Sequence, residues 1–496
     1  MLQPNLDPHA LAVELSGLHL IDGALVPAQS GKSFPVLNPA TGRTMGQAAD
    51  GDAADVDIAV AAAKAAFGGW KARSARERGK LVAECGRLLE AHAEELGRLV
   101  ALESGKALRT ESRVEGRVLA DTFTYFGGLG SELKGETIPF SPKCLTMTVR
   151  EPVGVVGAII PWNVPMYLMA LKIAPALVAG NTVVVKSAEE APLCCLRVCQ
   201  LLNQILPAGV FNILSGDGPT CGAPLAAHED VAKITFTGSV ETGRIVYRAA
   251  AEKLVPVTLE LGGKSPMIIM EDADLEKAVA GAITGVRFTR QGQSCTAASR
   301  IFVHRSIHDE FVSRLVSKVN QMKMGDPLDE DTDIGTIVSP AQFERVQHYL
   351  ELAAQEPGAV AHRCAQMPTD PALADGLFAQ PVVLTGVPNT SVVCREEIFG
   401  PVTCVIAFDD PHDAIEQAND TEYGLAATVW TQNLNLAMTA VHALEAGFVQ
   451  VNQNLVVLPT LPYGGYKKSG LGKEASLDAM LEHYTHRKTI IINLDA

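Results

Sequence analysis

The chain has 496 residues, of which 47% are hydrophobic and 20% charged, enough apolar content to bury a large core. That excludes a disordered chain, a collagen-like repeat and a disulfide-stapled miniature, and the length suggests about two or three domains. Its 41 Lys and Arg against 56 Asp and Glu leave a net charge of −15. Phosphate backbones and anionic lipid are repelled, so neither nucleic acid nor a membrane is expected as a partner.

The first basic residue is Lys32, so no charged leader is expected. No apolar stretch reaches the ~18 residues of a membrane span, and a cytoplasmic protein is expected. Asp52 followed by Val56, Val60, Ala63 and Phe67 predicts a capped helix. Residues 81–99 continue the helical spacing, so the first 130 residues should be largely helical. From residue 150 the pattern changes to short, wholly apolar runs at 153–160, 182–185, 210–214 and 234–236, separated by helix-like segments. Runs without alternation are strands buried on both faces, and their alternation with helices predicts a parallel sheet in an α/β fold. Ligands then belong beyond the carboxyl ends of these strands. A second α/β stretch begins near Gly262. There, residues 301–303 should form a strand leading into a helix opened by Ser306, with Asp309 as capping-box partner and Ile307, Phe311, Leu315 and Val319 on one face. Residues 489–494 are β-prone and predict pairing outside their own domain, across a subunit interface.

Ten cysteines lie along the chain without a CxxC pair or Cys/His ligand spacing. This fits reduced thiols and predicts no structural metal. Cys295 differs from the other nine, which are expected to be inert packing. It ends the polar, loop-like run Gln291, Gly292, Gln293, Ser294, where a thiol could be reachable and partly ionised; the alternative is a small buried hydrophobe. Glu260 ends an apolar strand just before Gly262 and Gly263, which permit close approach of backbone or ligand. It is either a general base or a strand-end carboxylate facing water. Asn163 follows a buried strand between Pro161 and Pro165, as an oxyanion-stabilising amide or as the cap of the next helix.

Together with Lys186 to Glu189, Phe236 to Ser239, Glu396 to Pro401 and Pro462 to Gly470, these segments resemble the aldehyde dehydrogenase superfamily, in the family's order and over nearly the whole chain. The resemblance implies two Rossmann-like α/β domains, a cofactor-binding one at residues 1–131 and 152–261 and a catalytic one at 262–470. It also implies a small β oligomerisation arm at 132–151 and 482–496 that makes a homodimer or homotetramer. It assigns Cys295 as nucleophile, Glu260 as general base, and Asn163 with the Cys295 backbone NH as oxyanion hole. Glu260 further points to the hydrolytic rather than the acyl-CoA-forming branch. A catalytically inactive structural relative is the alternative of another class, against which the three intact catalytic residues weigh.

For the cofactor the resemblance implies Trp162, Lys186, Glu189, Gly218, Gly222, Phe236, Gly238, Ser239, Leu261, Glu397 and Phe399. The glycine-rich turn at 216–222 departs from the usual dinucleotide fingerprint by one extra residue, yet still allows backbone approach to phosphate. Glu189 favours ribose hydroxyls over a 2′-phosphate, so NAD is expected over NADP. The aldehyde tunnel is expected near Val164, Tyr167, Leu171, Thr289, Ser294, Leu455, Val457 and Tyr463. Such mainly apolar walls select an aromatic or medium-chain aliphatic aldehyde. The competing expectation is a semialdehyde whose carboxylate is read by Arg287 or Arg290.

Overall fold

The structure, a computed structural model, describes residues 2–454 and 458–495. Two large sheets carry the fold. The first runs in the order Ala24–Val26, His19–Ile21, Phe211–Leu214, Thr182–Lys186, Val155–Ile159, Val231–Thr237, Val257–Glu260, Gly470–Leu471. Its five central strands are parallel. All but the ends of these strands are buried, which is why the sequence shows continuous Val/Ile/Leu runs rather than alternation. Numbered along the chain, those five strands lie in the order 3-2-1-4-5. The order therefore reverses between Val155–Ile159 and Val231–Thr237, and the crevice at that reversal is where such sheets take ligand.

The second sheet has seven strands, in the order Val360–Arg363, Val382–Thr385, Val402–Phe408, Arg300–His304, Pro266–Ile269, Ala426–Trp430, Phe448–Val451. Only the first pair is antiparallel. A third, three-stranded antiparallel sheet joins Thr137–Ser141, Cys144–Pro152 and Thr485–Asn493. The carboxyl-terminal run thus pairs with Cys144–Pro152 of its own chain.

The amino-terminal part is mostly helical, with Asp52 capping Ala53–Ala72 through a full capping box. Three features depart from the sequence expectation. Residues 19–49 hold four short strands, two of only three residues, which are too short or irregular to show an alternation. The segment 81–99 is two helices, Ala75–Ala91 and Ala93–Ser104, broken at His92. The Ser306 capping box also does not form. The first turn is a 3₁₀ turn, Arg305–Ile307, and Ser306 Oγ lies 2.7 Å from His304 Nδ1, so the helix proper starts at His308. Among the described residues no helix is long and apolar enough to cross a membrane.

The helix Pro165–Ala179 is the element that ties the fold to the site. Almost all of its residues are buried, and a helix apolar all round must lie inside. Its amino-terminal turn begins just after Asn163.

Candidate active site

Asn163 is held at its carbonyl and at its side chain. Lys106 Nζ donates to its backbone carbonyl (2.9 Å), and Lys106 is itself paired, fully buried, with Glu115. Glu115 Oε1 accepts from the Met166 backbone NH (2.9 Å) at the start of the helix Pro165–Ala179, so an anion meets the positive end of that helix. The Asn163 side chain does not cap the helix: the cap residue is Val164, which makes no side-chain cap bond. Instead Asn163 Nδ2 donates to the Gln293 carbonyl (3.3 Å), two residues before Cys295. Gln293 is locked in turn, its Oε1 accepting from the Val338 NH at 3.0 Å.

The two glycines after Glu260 permit close approach on both sides. A Cβ on Gly262 would strike the Glu397 carboxylate, and one on Gly263 would strike the Cys295 carbonyl. The strand ending at Glu260 is thereby pressed against the Cys295 loop and the Glu397 segment at once. Glu397 Oε1 accepts from the Gly263 NH (2.9 Å), and burial pushes its carboxyl up to about 7.

Two cavities meet here. A cleft of ≈ 550 Å³ opens at the strand-order reversal, lined by Trp162, Gly238, Ser239, Leu261, Glu397 and Phe399, and in addition by Arg244, Gln342, Arg345 and Lys468. A narrow tunnel of ≈ 80 Å³ is lined by Val164, Tyr167, Leu171, Ser294 and Tyr463, together with Glu111, Val114, Val118, Leu168, Arg287 and Arg290. Cys295 and Asn163 line both. Burial pushes the Cys295 thiol up to about 11; the Glu397 and Glu260 carboxylates act in the same direction, while the Tyr463 hydroxyl, 3.3 Å from Sγ, and Arg290 oppose them.

Glu260 is buried, and among the described residues neither carboxylate oxygen has a hydrogen-bond partner. Burial first, and then the Glu474 carboxylate, hold it well above the usual carboxylate range, with Lys172 and Lys473 opposing. Glu474 is bound by Lys172 Nζ (2.7 Å) and by the Thr235 hydroxyl (3.0 Å), all three buried. The reading of Glu260 as a carboxylate facing water therefore does not hold.

In the cleft, Ser239 caps the helix Val240–Lys253, accepting from the Thr242 NH, so a helix amino terminus faces the cavity beside the buried and unpartnered Thr237 hydroxyl. Both features suit a phosphate. Trp162 and Phe399 meet edge to face at 5.2 Å. Phe236 lies beneath the Gly238 turn rather than in the cleft wall. Lys186 ends the strand Thr182–Lys186, and Glu189, Gly218 and Gly222 lie in the segments that follow the strands, outside the cleft lining. Lys186 Nζ donates to Glu189 (2.9 Å), and a Cβ on Gly222 would come 3.9 Å from the Lys186 stem. Gly218 and Gly222 bound a single π-turn.

Behind the tunnel wall, Thr289 donates to Glu111 (2.5 Å) and stands outside the lining, and Arg290 grips the same carboxylate with two donors. Leu455 and Val457 lie outside the described residues. Glu111, Val114, Val118 and Leu168 were not singled out from the sequence. They sit on a π-turn, Leu108–Ser112, and on helices whose spacing reads as ordinary core. Arg244, Gln342, Arg345 and Lys468 were missed because solvated faces carry the same residue types. Glu474 and Lys172 showed no signal beyond being charges in apolar surroundings.

A sequence profile of the aldehyde dehydrogenase family matches residues 25–490. The chain belongs to the aldehyde dehydrogenase family. It is 42% identical over 479 residues to the mitochondrial benzaldehyde dehydrogenase of Antirrhinum majus, covering 96% of this chain and 88% of that one. The NAD+ complex of the aldehyde dehydrogenase of Bacillus cereus superposes with a TM-score of 0.94 at 39% identity, over 99% of this chain and 100% of that one. The NAD+ complex of betaine aldehyde dehydrogenase from Staphylococcus aureus has a TM-score of 0.94 at 35% identity, over 98% and 96%. The protein is an aldehyde dehydrogenase, an oxidoreductase that acts on the aldehyde group with a nicotinamide cofactor. Its two α/β sheets follow that family's fold.

Proposed function

We propose that the protein oxidises an aromatic or medium-chain aliphatic aldehyde to its carboxylic acid with NAD, through a thioester on Cys295. The observation that carries this reading is the meeting of cleft and tunnel at Cys295 and Asn163, which lets one thiol reach an aldehyde from one side and a cofactor from the other.

The Cys295 thiol gives its proton to water in the cleft, and the thiolate adds to the aldehyde carbon. The charge that develops on oxygen is met by the Asn163 amide and the Cys295 backbone NH; Asn163 is held against the Cys295 loop, so little reorganisation is needed. When bound, the nicotinamide supplies a hydride acceptor, which turns the adduct into a thioester. Glu260 then takes a proton from the water that attacks the thioester, and Cys295 leaves as a thiolate. The residues suited to the cofactor are Trp162, Leu261, Glu397 and Phe399 around the nicotinamide half, Gly238 and Ser239 at the pyrophosphate with Phe236 supporting their turn, and Lys186, Glu189, Gly218 and Gly222 at the adenosine half.

Glu189 supports NAD over NADP, because Lys186, the cation that would attract a 2′-phosphate, already pairs with Glu189. Wild-type enzyme should show higher kcat/KM with NAD. Glu189→Gln should narrow the ratio by about tenfold, since roughly one charge–charge repulsion is removed. A wild-type preference for NADP would refute the assignment.

The wall of Val114, Val118, Val164, Leu168 and Leu171 supports an apolar substrate body. A semialdehyde is the second reading. Arg290 is committed to Glu111, so that reading rests on Arg287, a buried cation in the tunnel wall. With NAD, benzaldehydes and alkanals should be oxidised with kcat/KM at least tenfold above succinic semialdehyde; activity on the semialdehyde alone would reverse the choice. Exposed Phe140, Ile491 and Ile492 on the three-stranded sheet support self-association as a homodimer or homotetramer. The thiol of Cys295 and the nine other unpaired cysteines support a reducing, cytoplasmic location.

A further inference from the structure

Tyr463 stands where only a tunnel wall was expected, yet its hydroxyl touches the reacting atom. Its oxygen lies 3.3 Å from Cys295 Sγ, and the side chain is 3% exposed. The ring is held edge to face by Phe448 at 5.9 Å. Its backbone exchanges two hydrogen bonds with Glu474, at 3.0 and 2.7 Å, so the residue whose side chain binds Lys172 also fixes the height of the phenol above the nucleophile. A hydroxyl brought this close to a thiol by two independent supports is placed rather than packed.

We propose that Tyr463 is a catalytic residue whose hydroxyl donates a hydrogen bond to the Cys295 thiolate and so raises the ionised fraction of the nucleophile. This rests on Cys295 being the nucleophile. The direction of the bond follows from the two acidities. Burial, with the negative charges of Cys295, Glu260 and Glu474, pushes the phenol well above its ordinary range, so the proton stays on oxygen and sulfur accepts. Hydrogen bonding to a charged form favours that form. The charged groups around Sγ leave the hydroxyl something to offset. Glu260 from its strand end and Glu397 from the facing loop disfavour the thiolate, while the guanidinium of Arg290 favours it and Arg287 lies in the same wall. When sulfur bonds to the aldehyde carbon its charge is gone and the phenol returns to the tunnel, so the bond favours attack without holding the product of attack.

The test reads the thiol directly. The rate at which iodoacetamide alkylates Cys295, followed by mass spectrometry of the Cys295 peptide, is measured against pH in the full-length enzyme and in Tyr463→Phe. The expected result is an upward shift of the midpoint by about one pH unit in Tyr463→Phe. Below the midpoint, the tenfold smaller thiolate fraction is partly offset by its higher intrinsic nucleophilicity, leaving alkylation about three- to four-fold slower. The burst of NADH should slow by the same factor, with deacylation unchanged. 3-Fluorotyrosine at position 463, a stronger donor, should move the midpoint down, and it serves if Tyr463→Phe folds poorly. An unchanged or lowered midpoint in Tyr463→Phe, or an unchanged or raised one with fluorotyrosine, overturns the proposal. If alkylating Cys295 leaves activity intact, the nucleophile assignment fails instead, and the two failures are distinct.

Discussion

Replacing Cys295 with alanine is expected to abolish NADH formation, a loss of at least roughly four orders of magnitude for removing a covalent nucleophile, while the protein still folds and still binds NAD. Hydride can leave the substrate carbon only once that carbon is tetrahedral and carries an oxyanion to expel it. Cys295 is the one thiol that both cavities share: eight of the other nine are buried, and Cys144 lies on the three-stranded sheet. No second cysteine can therefore substitute. Serine at 295 would keep an oxygen at the position, but an alkoxide is far harder to form where burial already pushes a thiol up to about 11. The same acidity sets a pH dependence for the wild type. Because the neutral thiol predominates at pH 7, the acylation rate should climb as pH rises toward the folded value, by close to tenfold per unit where thiolate formation is limiting. Stopped-flow NADH bursts across pH 6–10 check this. A Cys295→Ala enzyme that retained a measurable burst would remove the covalent route.

Much of this was legible because strand ends and loops in a parallel sheet are where sequence and ligand meet. The apolar runs gave the strands to within three residues, and Glu260 ends one while Asn163 and Cys295 lie in loops beside them. Gly262 and Gly263 were read as close-approach positions, and the structure shows what approaches, the Glu397 carboxylate and the Cys295 carbonyl. Less visible were the residues that act across long separations. Lys106 and Glu115 look like surface charges on a helical stretch, yet together they grip the turn at Asn163. Glu474 is 214 positions from Glu260, and no local pattern marks two buried carboxylates as neighbours. The π-turn at Leu108–Ser112 defeated helical periodicity for a related reason. An extra residue in the turn changes which side chains face the tunnel, and spacing alone does not register it.

Glu260→Gln carries the second large effect, and it separates the two halves of the reaction. Glutamine preserves the shape of a side chain whose carboxylate makes no hydrogen bond and that packs closely against Gly464. Acylation at Cys295 does not need a base at 260, so the burst of about one NADH per active site should survive. On the proposed mechanism hydrolysis of the thioester uses it as base, and the steady-state rate should fall by roughly 10²–10⁴-fold. The wild-type deacylation rate should rise with pH, because burial and Glu474 hold Glu260 above the usual carboxylate range and only its ionised fraction serves as base; in the variant that slope should vanish. The stability consequence has the opposite sign. Between the ordinary carboxylate value and the raised folded value, the folded protein holds a proton that the unfolded chain has lost, so wild-type stability falls as pH rises through that window. Glutamine has no proton to lose. The variant should therefore match the wild type in melting temperature near pH 4 and exceed it increasingly toward pH 8–9, the pattern of a group retained for the proposed chemistry at a cost to folding. Melting curves that diverge the other way would mean Glu260 is ionised and paired in the folded protein. A wild-type steady-state rate in the variant would mean another group activates the water.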